Sequence, residues 1–99
     1  METFGEYIRQ LRIDKDMSIT KISELVGIDS TLWGRIERNE RRASKDVISK
    51  IANIFDLNEQ ELMKCFLSDC FAYKILEENV DIDVLKVAEQ KVKYLKSKK

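Results

Sequence analysis

A chain of 99 residues is long enough for one domain with at most a short appendage, and its core is small because about a third of the unfolded surface stays in water. Its 18 basic and 18 acidic side chains give a formal net charge of 0 with 36% of residues charged, which lacks the basic excess typical of nucleic-acid binders. The 43% hydrophobic content excludes a disordered chain, and no apolar run approaches the roughly 18 residues of a membrane span.

Helical periodicity is nearly continuous and no alternating stretch of strand length occurs, so the expected fold is all-α. Phe4, Ile8 and Leu11 recur at i, i+4, i+7 in a first helix that Asp14-Lys15-Asp16 ends. Ser18 is a good N-cap for a short second helix with Ile22, Leu25 and Val26 as its buried stripe, and Gly27 stops it. After the turn Gly27-Ile28-Asp29 comes a third helix, capped by Asp29 or Ser30, with Trp33 and Ile36 facing inward. Two short helices joined by so tight a turn cross at a large angle, the geometry of a helix-turn-helix.

The polar loop Asn39-Glu40-Arg41-Arg42-Ala43 follows, and Ser44 caps a fourth helix carrying Ile48, Ile51, Ala52 and Phe55. Asp56-Leu57-Asn58 ends it. Asn58 with Glu61 approximates a capping box for a fifth helix with Leu62, Phe66 and Leu67, which runs on or restarts through Phe71 and Ile75. Asn79-Val80-Asp81 breaks that pattern, and Asp81 or Asp83 caps a last helix.

The chain has no His and no Pro, and only three Gly. Imidazole chemistry and His metal sites are therefore excluded, and loops must be short. Cys65 and Cys70 form no CxxC and have no second pair, which fits reduced, half-buried thiols. The start Met1-Glu2-Thr3-Phe4 has no signal-peptide pattern and suits a cytoplasmic protein. Carboxylates scattered along solvent faces offer no acid–base or nucleophile constellation, so no enzyme, cofactor or metal is expected.

The segment from Met17 to Asn39 resembles the helix-turn-helix of the lambda-repressor-like regulators, the XRE family. An apolar-Ser opening (Met17-Ser18), the turn Leu25-Val26-Gly27-Ile28 and the closing Arg35-Ile36-Glu37-Arg38 fall together at that family's spacing, and the likeness extends from about Phe4 to about Leu62. It implies a compact five-helix domain whose third helix, about residues 30–38, enters the major groove of double-stranded DNA. One or two further helices follow, giving a division into residues 1–67 for DNA binding and 68–99 as a helical extension.

Carried over by position, the resemblance gives base contacts to Ser30, Thr31 and Arg35. With Trp33 and Ile36 inward, Ser30, Thr31, Gly34 and Arg35 are expected to face outward. Arg35 is the expected specificity residue, because its fork matches guanine O6 and N7 whereas Ser and Thr discriminate poorly; pairing of Arg35 with a phosphate or a carboxylate is the alternative. Phosphate contacts fall to Ser18, Lys21, Arg38, Arg41, Arg42 and Lys45, at the start of the second helix and in the loop after the third.

The chain departs from the family in places. Ile19 replaces the polar residue, often Gln, that many members use to hold a phosphate, so that contact is absent or made by a backbone amide. Trp33 is larger than the usual aliphatic and is expected as a core anchor. Gly34 inside the recognition helix costs about 1 kcal/mol relative to Ala; close approach to the groove or a tolerated surface position would each account for it.

In the last helix Leu85, Ala88, Val92 and Leu95 form a two-heptad apolar stripe. Regulators of this family commonly bind two-fold-symmetric operators as dimers, so Phe66, Phe71, Leu85, Ala88, Val92 and Leu95 are expected at a homodimer interface; an intramolecular lid is the alternative. A single-domain chain of this length suits a repressor of the phage type, a controller of a restriction–modification system or an antitoxin. A sequence-specific transcriptional regulator is the leading expectation, repressor or activator. The second is an antitoxin-like or adaptor protein that binds a partner protein through its C-terminal helices.

The zero charge conceals segregation. Residues 1–45 hold 9 basic and 8 acidic groups, 53–83 hold 2 basic and 8 acidic, and 84–99 hold 6 basic and 1 acidic. Within 35–45, Arg35, Arg38, Arg41, Arg42 and Lys45 stand against Glu37 and Glu40. A neutral chain is thus compatible with DNA binding confined to one edge, and with weak affinity for random DNA.

Overall fold

The computed structural model describes residues 1–98, which form α1 (Phe4–Asp14), α2 (Ile19–Val26), α3 (Ser30–Glu37), α4 (Lys45–Ile54), α5 (Glu59–Glu78) and α6 (Val84–Ser97), with no strand among them. Side chains supply the missing partners at most helix starts. The Thr3 hydroxyl accepts from the Glu6 N–H at 3.1 Å while Glu6 accepts from the Thr3 N–H at 2.9 Å, a complete capping box. Ser18 caps α2, Asp29 caps α3 and Ser44 caps α4. At α5 one limb of the expected box is present, Asn58 accepting from the Glu61 N–H at 2.9 Å. Asp83 occupies the cap position of α6 without a side-chain bond, and its own N–H donates to Asp81.

The helix ends follow from the scarcity of glycine. Gly27 takes the left-handed conformation after α2 (φ 82°), and Asp16, Asn39, Asp56 and Asn79 take it after α1, α3, α4 and α5. Asp and Asn are the side chains that enter this region most readily, because their short polar groups bond locally.

The chain divides into two compact units, Met1–Asp69 and the residues from Cys70 onward, with α5 contributing to both. α5 is one continuous 20-residue helix rather than a broken pair. The first unit has the core: Phe4, Ile8, Ile22, Val26, Trp33, Ile36, Ala43, Val47, Ile48, Ile51, Ala52 and Leu62 are buried. Leu25 departs from expectation and is exposed. The buried stripe of α2 centres on Ile22, Ser23 and Val26, and Ser23 is accommodated because its hydroxyl donates to the Ile19 carbonyl at 2.7 Å. Phe66, grouped by sequence with the pairing residues, instead packs edge-to-face on Phe4 at 5.3 Å within its own unit.

α1 is fastened to α3 at two points. Arg12 donates through Nε and Nη2 to Glu37 at 2.7 and 3.1 Å and through Nη1 to the Met17 carbonyl, while the Trp33 indole N–H also donates to Glu37. This hydrogen bonding holds the Arg12 guanidinium pKa above its ordinary value. At the other point Asn39 accepts from the Gly5 N–H at 3.2 Å and donates to the Thr3 hydroxyl at 2.9 Å. A Cβ on Gly5 would lie 2.6 Å from both Asn39 Oδ1 and the Ile36 carbonyl and closer still to that of Glu37, so α1 reaches the end of α3 only with glycine there. Asp69 completes the seat by accepting the Phe4 N–H at 2.7 Å.

Both cysteines are free and half-buried. Burial, then the charges of Asp69 and Glu2, push the Cys65 thiol pKa up. No described helix is long and apolar enough to cross a membrane.

Candidate nucleic-acid interface

At about 100° per residue, α3 and the residue after it divide cleanly. Leu32, Trp33, Ile36 and Glu37 fall on one side; Ser30, Thr31, Gly34, Arg35 and Arg38 span roughly 140° on the other. The first set is buried or half-buried, with Trp33 wholly enclosed. Ser30, Thr31, Arg35 and Arg38 are exposed. The inward set is locked by the Arg12–Glu37–Trp33 network, so the outward set stands on a fixed support.

Gly34 is the exception on that outer face, since it is buried rather than open. Its cover is the Arg38 side chain, whose Nη1 would lie 3.2 Å from a Cβ built on Gly34. The relation is i, i+4, so Arg38 folds back over the helix that precedes it. Asp29 takes the cap role, accepting the Thr31 N–H at 2.7 Å. That leaves the Ser30 hydroxyl free of capping.

Ser18, Lys21, Arg41, Arg42 and Lys45 are also exposed. Ser18 accepts the Lys21 N–H at 3.0 Å, and Ile19 packs against the core rather than standing at the surface. Among the described residues, Lys21, Arg35, Arg41, Arg42 and Lys45 form no ion pair, whereas Arg38 Nε meets Glu40 Oε2 at 2.9 Å. The charge of this edge differs from the sequence count. Glu37 is consumed internally by Arg12, so Glu40 is the one exposed carboxylate among the five basic residues of 35–45.

Sequence reasoning missed the Arg12–Glu37 pair, the cover over Gly34 and the Arg38–Glu40 contact. Only the last two had a local signal, in the i, i+4 and i, i+2 spacings around Arg38.

The fold and this face define a lambda-repressor-like helix-turn-helix domain. The family model described as "Helix-turn-helix domain" matches residues 5–65. Among solved structures, the restriction-modification controller protein C.AhdI from Aeromonas hydrophila is similar at 36% identity and TM-score 0.55, covering 60% of this chain and 89% of that one. SinR, the master regulator for biofilm formation, solved in complex with DNA, is similar at 26% identity and TM-score 0.56, covering 62% of this chain and 98% of that one. PA4674 from Pseudomonas aeruginosa, solved with its operator DNA, shares the fold at 19% identity and TM-score 0.71, covering 83% of this chain and 91% of that one. No curated protein sequence matches the chain. The chain belongs to the helix-turn-helix domain family, in its lambda-repressor-like (XRE) branch.

Proposed function

We propose that the protein is a DNA-binding transcriptional regulator that reads a specific operator by placing α3 in the major groove. The observation that carries this reading is the outward face of α3, made of Ser30, Thr31, Gly34, Arg35 and Arg38 and held rigid from behind by the buried Glu37 network. Family membership supports it, as do the DNA complexes of SinR and PA4674. Arg35 takes the guanine-reading role and Ser30 and Thr31 lie against neighbouring base edges. Ser18, Lys21, Arg38, Arg41, Arg42 and Lys45 hold phosphates. At the start of α2 the amides of Ile19 and Thr20 lack intrahelical partners, which suits them to a phosphate oxygen.

The regulator acts as a homodimer through the unit beyond Cys70. The stripe Leu85, Ala88, Val92 and Leu95, with Phe71, is exposed in the single chain, and α6 has no buried residue. A second copy covers that stripe, and the acidic run of Glu77, Glu78, Asp81 and Asp83 complements the lysines of α6. Two recognition helices then address half-sites about 34 Å apart.

Selection of bound sequences from random duplexes tests the reading, followed by affinities for the enriched site and a scrambled one. Arg35→Ala is expected to cost about 1–3 kcal/mol on the enriched site and to relax preference at one position per half-site. Equal weakening on both duplexes would make Arg35 a phosphate contact, and no enrichment would reject the operator-reading function.

A further inference from the structure

Arg38, assigned above to a phosphate, is paired with Glu40, a carboxylate to which that reading gives no role. The chain leaves α3 through Asn39 in the left-handed conformation (φ 62°), with the Asn39 N–H donating to the Ile36 carbonyl at 3.1 Å and the Glu40 N–H to the Arg35 carbonyl at 2.9 Å. These two bonds turn the backbone back along the last turn of the helix and fix where Glu40 starts. From there its carboxylate accepts from Arg38 Nε at 2.9 Å. Beneath the same guanidinium lies Gly34, whose missing side chain makes the space. Arg38 is thus held on one edge by Glu40 and seated on Gly34. Its Nη1 and Nη2 make no other hydrogen bond among the described residues, and these terminal groups are the fork that accepts a phosphate.

We propose that Glu40 is the positioning residue for Arg38 on the DNA-facing edge of α3, and that it sets the ratio of operator affinity to random-DNA affinity. The inference rests on the operator-reading function above. On random DNA the protein is held by net charge, and the one exposed carboxylate of this basic segment subtracts from that attraction. On the operator, where the phosphates are in register, an Arg38 already ordered by Glu40 loses less side-chain freedom on binding. Glu40 thus weakens the first mode and favours the second. The hydrogen bond from Arg38, aided by the charges of Arg38 and Arg35, also holds the Glu40 carboxyl below its usual pKa, which keeps it ionised in this role.

The test compares the wild type, Glu40→Gln, Arg38→Ala and the double variant on the enriched duplex and on a scrambled duplex, each across a salt series, with Trp33 fluorescence confirming that every variant is folded. Glu40→Gln is expected to lower the operator-to-scrambled affinity ratio by roughly three- to tenfold and to steepen the salt slope on scrambled DNA by about 0.9, one more phosphate contact. In the Arg38→Ala background the same change is expected to lower the ratio less, by its charge contribution alone, because the residue it positions is gone. A ratio that stays level or rises in Glu40→Gln overturns the proposal, as does a fall of equal size without Arg38. A wild type that enriches no sequence at all removes the operator reading itself, an outcome visible before any variant is made.

Discussion

The two compact units are made of the same kind of helix but differ in what they bury. Residues 1–69 contain all of the buried hydrophobic side chains, every completed side-chain cap and the only enclosed ion pair among the described residues. Beyond Cys70 no described residue is buried, and Phe71, Leu76, Ile82 and Leu95 are 55, 75, 72 and 59% exposed. Scattered exposed apolar residues are ordinary, but a helix with a full heptad stripe and no covered residue is not. The larger unit has closed on itself, and the smaller has the pattern of an interface without its second side.

Two changes test that contrast. Leu85→Asp combined with Leu95→Asp is expected to halve the mass in light scattering and to reduce operator affinity by roughly 10²–10⁴, the gain that two linked half-site contacts supply. Trp33 fluorescence should not change, since the single tryptophan lies in the other unit. An unchanged mass would show that this stripe does not pair copies of the chain. In the first unit, Arg12→Ala leaves Glu37 buried with its charge matched only by the Trp33 N–H, and is expected to destabilise by about 3–5 kcal/mol. Urea unfolding followed at Trp33 measures it. A loss under about 1 kcal/mol would mean that the apolar contacts and the Asn39 bonds to Gly5 and Thr3 dock α1 on α3 without the Arg12 pair.

The legible and the hidden parts of the molecule divide along sequence distance. Ser18, Gly27 and Ser44 could be assigned because a cap or stop signal acts within four residues, and the inward faces of α3 and α4 because the helical period is local. The all-α architecture followed from the same signals. Arg12 and Glu37 are 25 positions apart and Gly5 and Asn39 are 34 apart, so no periodicity marks either contact. Leu25 was misplaced because hydrophobicity suggested it and a serine with a satisfied hydroxyl took the inward position instead. The sequence leaves open whether α5 runs on or restarts after Leu67, because Ser68-Asp69-Cys70 interrupt its apolar spacing; none of them opposes a helix, and Asp69 receives the Phe4 N–H. At the candidate interface the outward positions were readable from the partition of α3. The charge was not, since it depends on which carboxylates the fold has already neutralised.

Gly34 supplies the smallest expected effect and separates stability from recognition within one residue. A glycine inside a helix costs about 1 kcal/mol relative to alanine, so Gly34→Ala removes that cost. The added Cβ would meet only Arg38 Nη1 at 3.2 Å and Cζ at 4.0 Å, the far end of a flexible side chain that is 60% exposed and able to yield. The variant is therefore expected to melt higher by about 4–8 °C. Its operator affinity is expected to fall a few-fold, because the yielding group is the guanidinium whose seat Gly34 provides, while binding to scrambled DNA, which needs only charge, stays level. A lower melting temperature would show that Arg38 cannot move aside and that Glu40 holds it more tightly than an exposed ion pair does elsewhere. A higher melting temperature with undiminished operator affinity would separate Gly34 from recognition and leave Glu40 as the sole support of Arg38.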